Sequence, residues 1–174
     1  MATSIPVTRT YLEMTGRGAL RSAPLPPYAR VEREVPSSAA GLARRLYLEV
    51  GRDHHWRDRA DWSADQWESR FAAPGVSLWV LRVDGEPAGY AELNTDAAGD
   101  VEIVYFGLLR PFQGRGLGKG LLSAVVDRAW AIPAARVWLH TCTLDAPSAL
   151  PNYLARGFRA YRTEEYVVPA DPPR

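Results

Sequence analysis

One segment in the middle of the chain constrains the fold more than any other. The apolar stretch 101–109 predicts a strand, and residues 114–131 predict a helix, because apolar side chains recur there at helical spacing. The loop between them reads Gln113-Gly114-Arg115-Gly116-Leu117-Gly118-Lys119-Gly120. Residues 136–142 predict a further strand, so the helix is a crossover, which in one sheet is right-handed and joins parallel strands. The segment therefore predicts an α/β domain with a mixed sheet.

Two helices are predicted before this segment. Ser37 or Ser38 is expected to cap a first helix that ends near Gly51. Ser63, followed three residues later by Gln66, matches a capping box and predicts a second helix.

Strands and a short helix account for most of the remaining chain. Residues 30–35, 76–83 and 87–93 predict strands, and Asp84-Gly85 between the last two is typical of a tight hairpin. A short helix is expected over residues 149–156, followed by a final strand over 158–168.

The two ends of the chain differ in character from its centre. The first 36 residues contain five of the 14 prolines, which favours an extended arm or a short edge strand. We expect an arm over residues 1–30, a single domain over 31–168 and a frayed tail over 169–174.

The glycines suit the central loop to hold phosphate groups. Glycine lets the backbone turn its N–H groups inward, and the following helix adds a positive N-terminal dipole. The alternative is that the glycines only make a tight turn.

Two phosphate motifs are excluded by counting. A Walker loop needs glycine at Gln113 and serine or threonine at Gly120, and the Rossmann pattern would end on Lys119 or Leu121 instead of glycine.

Composition excludes several classes of function. The net charge is +1, so nothing in the composition suggests a basic stripe for nucleic acid. The single cysteine, Cys142, excludes an internal disulfide framework and a cysteine-based zinc site, and it fits the reducing cytoplasm, where we expect the protein. No apolar run approaches the roughly 20 residues of a membrane helix. We therefore expect no metal, no nucleic-acid partner and no membrane partner.

Two motifs together resemble those of one enzyme superfamily. The pattern Gln/Arg-x-x-Gly-x-Gly/Ala is matched by Gln113, Gly116 and Gly118. The pattern A-x-x-x-Y-x-x-x-G-F is matched by Ala149, Tyr153, Gly157 and Phe158. In these motifs and their separation, residues 76–168 resemble the GNAT superfamily of acyl-CoA-dependent N-acyltransferases. The resemblance implies a mixed, mostly antiparallel central sheet with a parallel, splayed strand pair, flanked by about four helices.

The resemblance also implies how the cosubstrate acetyl-CoA is bound. The loop amides would hold its pyrophosphate, and the strand before the loop would contact its pantetheine arm through a bulge at Gly107. Arg115 and Lys119 would add positive charge, or would be solvated side chains at the helix start. The residues implied are Leu108, Leu109, Gln113, Gly114, Arg115, Gly116, Leu117, Gly118 and Lys119.

Two residues are implied to be catalytic. Tyr153 would protonate or stabilise the departing thiolate, although a packing aromatic would occupy the same place. Glu102, in a Glu-Ile-Val sequence before the loop, resembles the general base of some histone-directed members. A water chain is the alternative base, and Glu102 is then a solvated residue at the start of the strand.

The segment 52–62 is expected to face the acceptor substrate. It falls between the first two helices and is rich in histidine, tryptophan and acidic residues, which suit a cationic amine. The candidate acceptor residues are His54, His55, Trp56 and Trp62. A packed surface loop is the alternative.

The function implied is an N-acetyltransferase that transfers an acetyl group from acetyl-CoA to a primary amine by direct attack in a ternary complex. The alternative is a catalytically silent acyl-CoA-binding sensor or partner module. The acceptor is a small-molecule amine or a protein amine, and a homodimer is possible because the final strand is expected at an exposed edge.

Overall fold

Seven strands form one sheet in the order β2-β3-β4-β5-β6-β1-β7. The computed structural model describes residues 4–170, so most of the predicted tail lies outside the described residues. The strands are β1 (Ser4–Met14), β2 (Ala29–Arg33), β3 (Val76–Val83), β4 (Glu86–Thr95), β5 (Val101–Leu108), β6 (Val137–Cys142) and β7 (Arg159–Pro169). The helices are α1 (Pro36–Gly51), α2 (Ala64–Ala72), α3 (Leu117–Trp130) and α4 (Ala149–Ala155).

Neighbouring strands are antiparallel except for β5 and β6, which are parallel. This arrangement confirms the predicted α/β fold with a mixed sheet. β5 and β6 pair only where Val101 meets Val137 and Glu102 meets Trp138. Beyond these pairs the two strands diverge, and the gap between them opens toward the glycine-rich loop.

The bulge expected at Gly107 is absent, because Gly107 pairs with Tyr90 in regular register. The register shift between β4 and β5 lies instead between Glu92 and Leu93. Gly107 has a packing role: a Cβ atom there would lie 2.5 Å from a methyl group of Val50 in α1. Only glycine therefore lets α1 approach β5 this closely.

The N-terminal strand lies inside the sheet. β1 pairs with β6 through residues 9–14 and with β7 through residues 4–13. The predicted edge position is wrong, because pairing between distant strands leaves no local signal in the sequence. The proline-rich start is compatible with this place: β6 pairs with β1 only from Arg9 onward, so one side of β1 is unpaired at Pro6.

The chain between β1 and β2 packs closely on α3. The backbone N–H of Ala23 donates to the Ser123 hydroxyl at 2.8 Å. At Gly120, a Cβ atom would lie 2.6 Å from the Leu25 side chain. Residues 4–30, which the sequence suggested as an arm, therefore pack as part of the same unit as the rest of the described chain.

Local cap and turn chemistry predicted several boundaries. Ser63 and Gln66 form the capping box of α2. Asp84 and Gly85 turn the hairpin with φ angles of 50° and 88°. The serine cap predicted for α1 is wrong: the helix begins at Pro36 and has no side-chain cap, because proline at the first position already has a helical φ.

The helices cover the two faces of the sheet unequally. α3 packs on one face with the fully buried residues Leu117, Leu121, Leu122, Val125, Val126 and Ala129. α1 and α2 pack on the other face against β3 and β4. On that second face β6 and β1 present His140 and Arg9 to the gap beside β5. Among residues 4–170, no helix is both long and apolar enough to cross a membrane.

Candidate active site

A cavity of about 870 Å³ occupies the gap between β5 and β6. The glycine-rich loop and α4 form one end of its wall, and the segment 54–59 after α1 forms another part. β1 and β7 contribute side chains from beyond β6. Most of the elements singled out from the sequence therefore meet at one cavity.

The N-terminus of α3 faces this cavity without a side-chain cap. Gly116 occupies the N-cap position with a φ of 73°, and Gly114 has a φ of 74°. Both values lie in the left-handed region that glycine tolerates best. The first amide N–H groups of the helix have no intrahelical partner, and the helix dipole makes this end positive. The arrangement can hold an anionic group such as a phosphate.

Most of the predicted cofactor residues border the cavity. They are Leu108, Gln113, Gly114, Gly116, Leu117, Gly118 and Lys119. The Gln113 amide also donates to the Leu108 carbonyl at 3.1 Å, which ties the loop to the end of β5.

Two predicted cofactor residues lie elsewhere. Leu109 donates its N–H to the Ala88 carbonyl at 2.9 Å and packs toward α1 and α2, so its amide is already used. Arg115 is not among the cavity-lining residues, and its guanidinium lies 5.5 Å from the centre of the Phe112 ring. Arg115 therefore fits the solvated alternative better than a phosphate contact from this position.

Tyr153 lies in the wall of the cavity on α4. Its side chain is 6% exposed, and its ring packs against Phe106 and Phe158 with centroid distances of 5.9 and 6.3 Å. Burial raises the pKa of its hydroxyl above the ordinary value of 10.0, so the phenol stays protonated at neutral pH. Tyr153 is thus a neutral hydrogen-bond donor beside the gap.

Glu102 lies at the closed end of the gap. It pairs with Trp138 where β5 and β6 still touch, and it is outside the set of residues that line the cavity. Burial raises the pKa of its carboxyl above the usual value. A proton acceptor at this position would reach the cavity only through water.

Three of the four predicted acceptor residues line the cavity: His54, His55 and Trp56. Trp62 does not. It stacks at 5.2 Å from the Trp67 ring and borders a separate shallow groove with Asp65 and Gln66. Its indole also lies 4.6 Å from the Arg59 guanidinium, so Trp62 anchors the loop instead of facing the acceptor.

A buried ion pair fixes the loop that carries these residues. Arg59 donates to Glu92 on β4 at 2.6 and 3.0 Å, and Arg70 of α2 donates to the same carboxylate at 2.8 Å. The Arg59 guanidinium also lies 4.6 Å from the Tyr105 ring of β5. Arg59 therefore attaches the loop to both β4 and β5.

Asp58 is the acidic side chain that this anchoring presents to the cavity. It accepts hydrogen bonds from the hydroxyls of Tyr47 and Tyr105, the first at 2.9 Å. An ionised carboxylate has about four acceptor sites, so capacity remains for a further donor. An aromatic and acidic wall of this kind suits a cationic amine.

Several further polar or charged residues line the cavity to which sequence reasoning assigned no functional role, among them Arg9, Asp58, Tyr105 and His140. Asp58 was visible only as one of several acids in its loop, and Arg9 fell in a segment read as an arm. Desolvation and the nearby Arg9 lower the pKa of His140 below 6.5, so its ring is neutral at pH 7. Within residues 4–170, no group of three or more His, Cys, Asp or Glu side chains is arranged to hold a metal ion.

Comparisons with known proteins agree with this architecture. The family model described as "Acetyltransferase (GNAT) family" matches residues 39–158. A protein described as an uncharacterized N-acetyltransferase in the pepI 3′ region of Lactobacillus delbrueckii subsp. lactis is 28% identical over 153 residues, covering 80% of this chain and 87% of that protein.

Two solved structures illustrate the shared fold. A GCN5-related N-acetyltransferase from Sphaerobacter thermophilus has a TM-score of 0.72 at 18% identity over 94% of this chain, which spans 51% of that longer protein. An aminoglycoside acetyltransferase from an uncultured soil metagenomic sample has a TM-score of 0.60 at 13% identity, covering 74% of this chain and 87% of its own.

Proposed function

Because this chain belongs to the GNAT family of acetyltransferases, we propose that it transfers an acetyl group from acetyl-CoA to a primary amine by direct attack in a ternary complex. One observation carries the proposal. The uncapped N-terminus of α3 and Tyr153 border the same cavity, and so does the aromatic and acidic wall that suits a cationic amine. A phosphate cradle, a proton donor and an amine site are the three parts that the reaction needs.

The loop and α3 fit the pyrophosphate of acetyl-CoA. Beyond its two chain neighbours, Gly114 has no atom within 4 Å of where its Cβ would be, and at Gly118 the nearest such atoms lie at 3.7 and 3.9 Å. The backbone there is consequently accessible to a ligand. Leu108, at the end of β5, borders the gap in which a pantetheine arm would lie.

Tyr153 serves the leaving group. When bound, acetyl-CoA supplies the thioester whose carbon–sulfur bond breaks as the amine nitrogen bonds to the carbonyl carbon. The Tyr153 hydroxyl is protonated at neutral pH, so it can hydrogen-bond to the departing thiolate and donate its proton to it. As the amide forms, its nitrogen gives up a second proton to water, and Tyr153 regains a proton from water to complete the cycle.

Asp58 serves the acceptor. An alkyl ammonium is mostly charged at pH 7 and must lose a proton before it can attack. Asp58 can bind the ammonium through its free acceptor sites and take that proton. Glu102 is the second candidate acceptor of the proton, and it would need a water link to the cavity.

A silent acyl-CoA-binding module is the alternative, and experiment separates the two. The first measurement is the melting temperature with acetyl-CoA, with ATP and AMP as controls. Ligand at 100 times its dissociation constant stabilises by about 2.7 kcal/mol. A shift with acetyl-CoA alone supports the cofactor assignment, and thiol release with amines then supports the enzyme. A shift without thiol release on any amine favours the silent module, and no shift contradicts both.

A further inference from the structure

Resting on the proposed function, we infer that the acceptor carries a carboxylate as well as its amine, and that Arg9 on β1 binds this carboxylate. Arg9 lies across the gap from β5, in direct register with Cys142 of β6. It lines the same cavity as Asp58.

The Arg9 guanidinium has unused hydrogen-bonding capacity. Of its five N–H groups, one donates to the Tyr166 hydroxyl at a long 3.3 Å. Among the described residues, the buried Nε atom has no hydrogen-bond partner. An unsatisfied buried donor costs about 1–3 kcal/mol, so native proteins usually satisfy such groups with protein, water or ligand.

Glu164 does not use up this capacity. Its carboxylate oxygen lies 3.6 Å from Nη1 of Arg9, close enough for an ion pair but beyond hydrogen-bond distance. The same carboxylate already accepts from the Tyr11 hydroxyl at 3.0 Å and from Arg162 at 3.3 Å. The Tyr166 ring lies 4.8 Å from the guanidinium and supports it through a cation–π contact, which leaves the edge of the guanidinium plane available.

Asp58 and Arg9 place opposite charges on the two sides of the gap. Of the other charged lining residues, Arg59 is already paired with Glu92, and Asp145 accepts from the Thr141 hydroxyl and the Cys142 N–H. Asp58 is attached to β5 through Tyr105, whereas Arg9 lies beyond β6. His140, between them on β6, is neutral at pH 7 and adds no second cation. An acceptor with an ammonium and a carboxylate pairs with both charges, whereas a simple amine leaves the Nε donor of Arg9 without a partner.

The anion that fits Arg9 best is a carboxylate. A single guanidinium matches a monoanion in bidentate geometry. A phosphate dianion would bring a second negative charge close to Glu164, whose carboxylate lies 3.6 Å from the same guanidinium. The inferred acceptor class is therefore an amino acid or a related amino carboxylate.

Matched acceptor pairs test this inference. Thiol release with acetyl-CoA is measured for phenylalanine against phenethylamine, tyrosine against tyramine, and lysine against cadaverine. We expect the carboxylate-bearing member of at least one pair to have the higher kcat/KM by about 10- to 100-fold, the effect of one charge-assisted hydrogen bond. Equal or higher kcat/KM for the carboxylate-free member of every pair overturns the inference.

Variants assign the preference to Arg9. Arg9→Gln should lower kcat/KM for the carboxylate-bearing acceptor by about 10- to 100-fold, with KM for acetyl-CoA unchanged. Arg9→Lys keeps the charge and should retain part of the preference. The matched control is Arg30→Gln, on β2 and outside the cavity-lining residues, which should leave the preference intact. An equal loss for both members of a pair in Arg9→Gln overturns the assignment.

A binding measurement separates this inference from the proposed function. Calorimetric titration of the same pairs into the protein with saturating coenzyme A requires no turnover. Carboxylate-dependent binding that Arg9→Gln removes supports the inference even if no thiol is released, in which case only the transferase proposal fails. If no carboxylate-bearing member binds, the inference fails, whatever the protein does with other amines.

Discussion

Arg59 and Glu92 form a buried ion pair that joins the loop after α1 to strand β4. Arg59 is 7% exposed and Glu92 is 1% exposed, and two hydrogen bonds connect them. Burying an unpaired charge is costly, so each side chain depends on the other. Because Asp58 immediately precedes Arg59, this pair also determines where the acidic wall of the cavity lies.

Glu92→Gln should therefore both destabilise the protein and impair the acceptor site. Removing one partner of a buried ion pair costs about 3–5 kcal/mol. The free energy of unfolding is measured by urea titration, and KM for the amine should rise while affinity for acetyl-CoA is kept. The control is Asp127→Asn, which breaks an exposed pair with Arg17 and should cost about 0–1 kcal/mol. Similar losses in the two variants would contradict a special role for Glu92.

Gly118→Ala should separate stability from cofactor binding. The protein has room for the methyl group, since the nearest atoms lie at 3.7 and 3.9 Å, and alanine favours a helix over glycine by up to about 1 kcal/mol. The melting temperature should hold or rise, whereas the dissociation constant for acetyl-CoA should increase because the methyl group occupies the ligand's approach. Gly41→Ala in α1, with nothing within 4 Å, is the matched control and should leave binding unchanged. Unchanged binding in Gly118→Ala would contradict the phosphate cradle.

Glu102→Gln should stabilise the protein more at pH 8 than at pH 4. Burial raises the pKa of this carboxyl, so its ionised form is less favourable in the folded than in the unfolded chain. The stability that protonated Glu102 contributes is present below its ordinary pKa and is lost as pH rises through the raised value. Glutamine cannot ionise, so the variant does not lose this stability. The measurement is the free energy of unfolding of wild type and variant at pH 4 and at pH 8.

The same variant tests the catalytic role of Glu102. We expect kcat to be largely retained, since Glu102 lies outside the cavity-lining residues. A loss of about 100-fold or more, the scale of general base catalysis, would place Glu102 in the proton path. Asp58→Asn is the companion variant and should show the larger loss.

The parts of the fold that depend on local chemistry could be predicted from the sequence. The capping box of Ser63 and the hairpin at Asp84-Gly85 need only neighbouring residues. The glycine-rich loop and Tyr153 were found because their motifs are local, although they lie some 35 residues apart.

The parts that depend on distant pairing could not be predicted. The insertion of β1 between β6 and β7 is set by sheet register, so Arg9 was not recognised as a cavity residue. Asp58 is distinguished from the other acids of its loop only by hydrogen bonds from Tyr47 and Tyr105, which come from two other elements. Trp62 and Glu102 had suitable side chains, but packing and register placed them away from the cavity.

Tyr153→Phe should lower kcat without weakening acetyl-CoA binding. The hydroxyl is the only group removed, and loss of a general acid costs about 100-fold or more. Because burial raises the pKa of Tyr153 above 10.0, the wild-type rate should show no decline from its ionisation between pH 7 and about 9. Thiol release across this range measures both effects, with the melting shift by acetyl-CoA as the binding readout. Tyr161→Phe, at a hydroxyl that is not in the cavity wall, is the control and should behave as wild type. If Tyr153→Phe retains full kcat, the leaving thiolate takes its proton elsewhere, and Tyr153 only packs between Phe106 and Phe158.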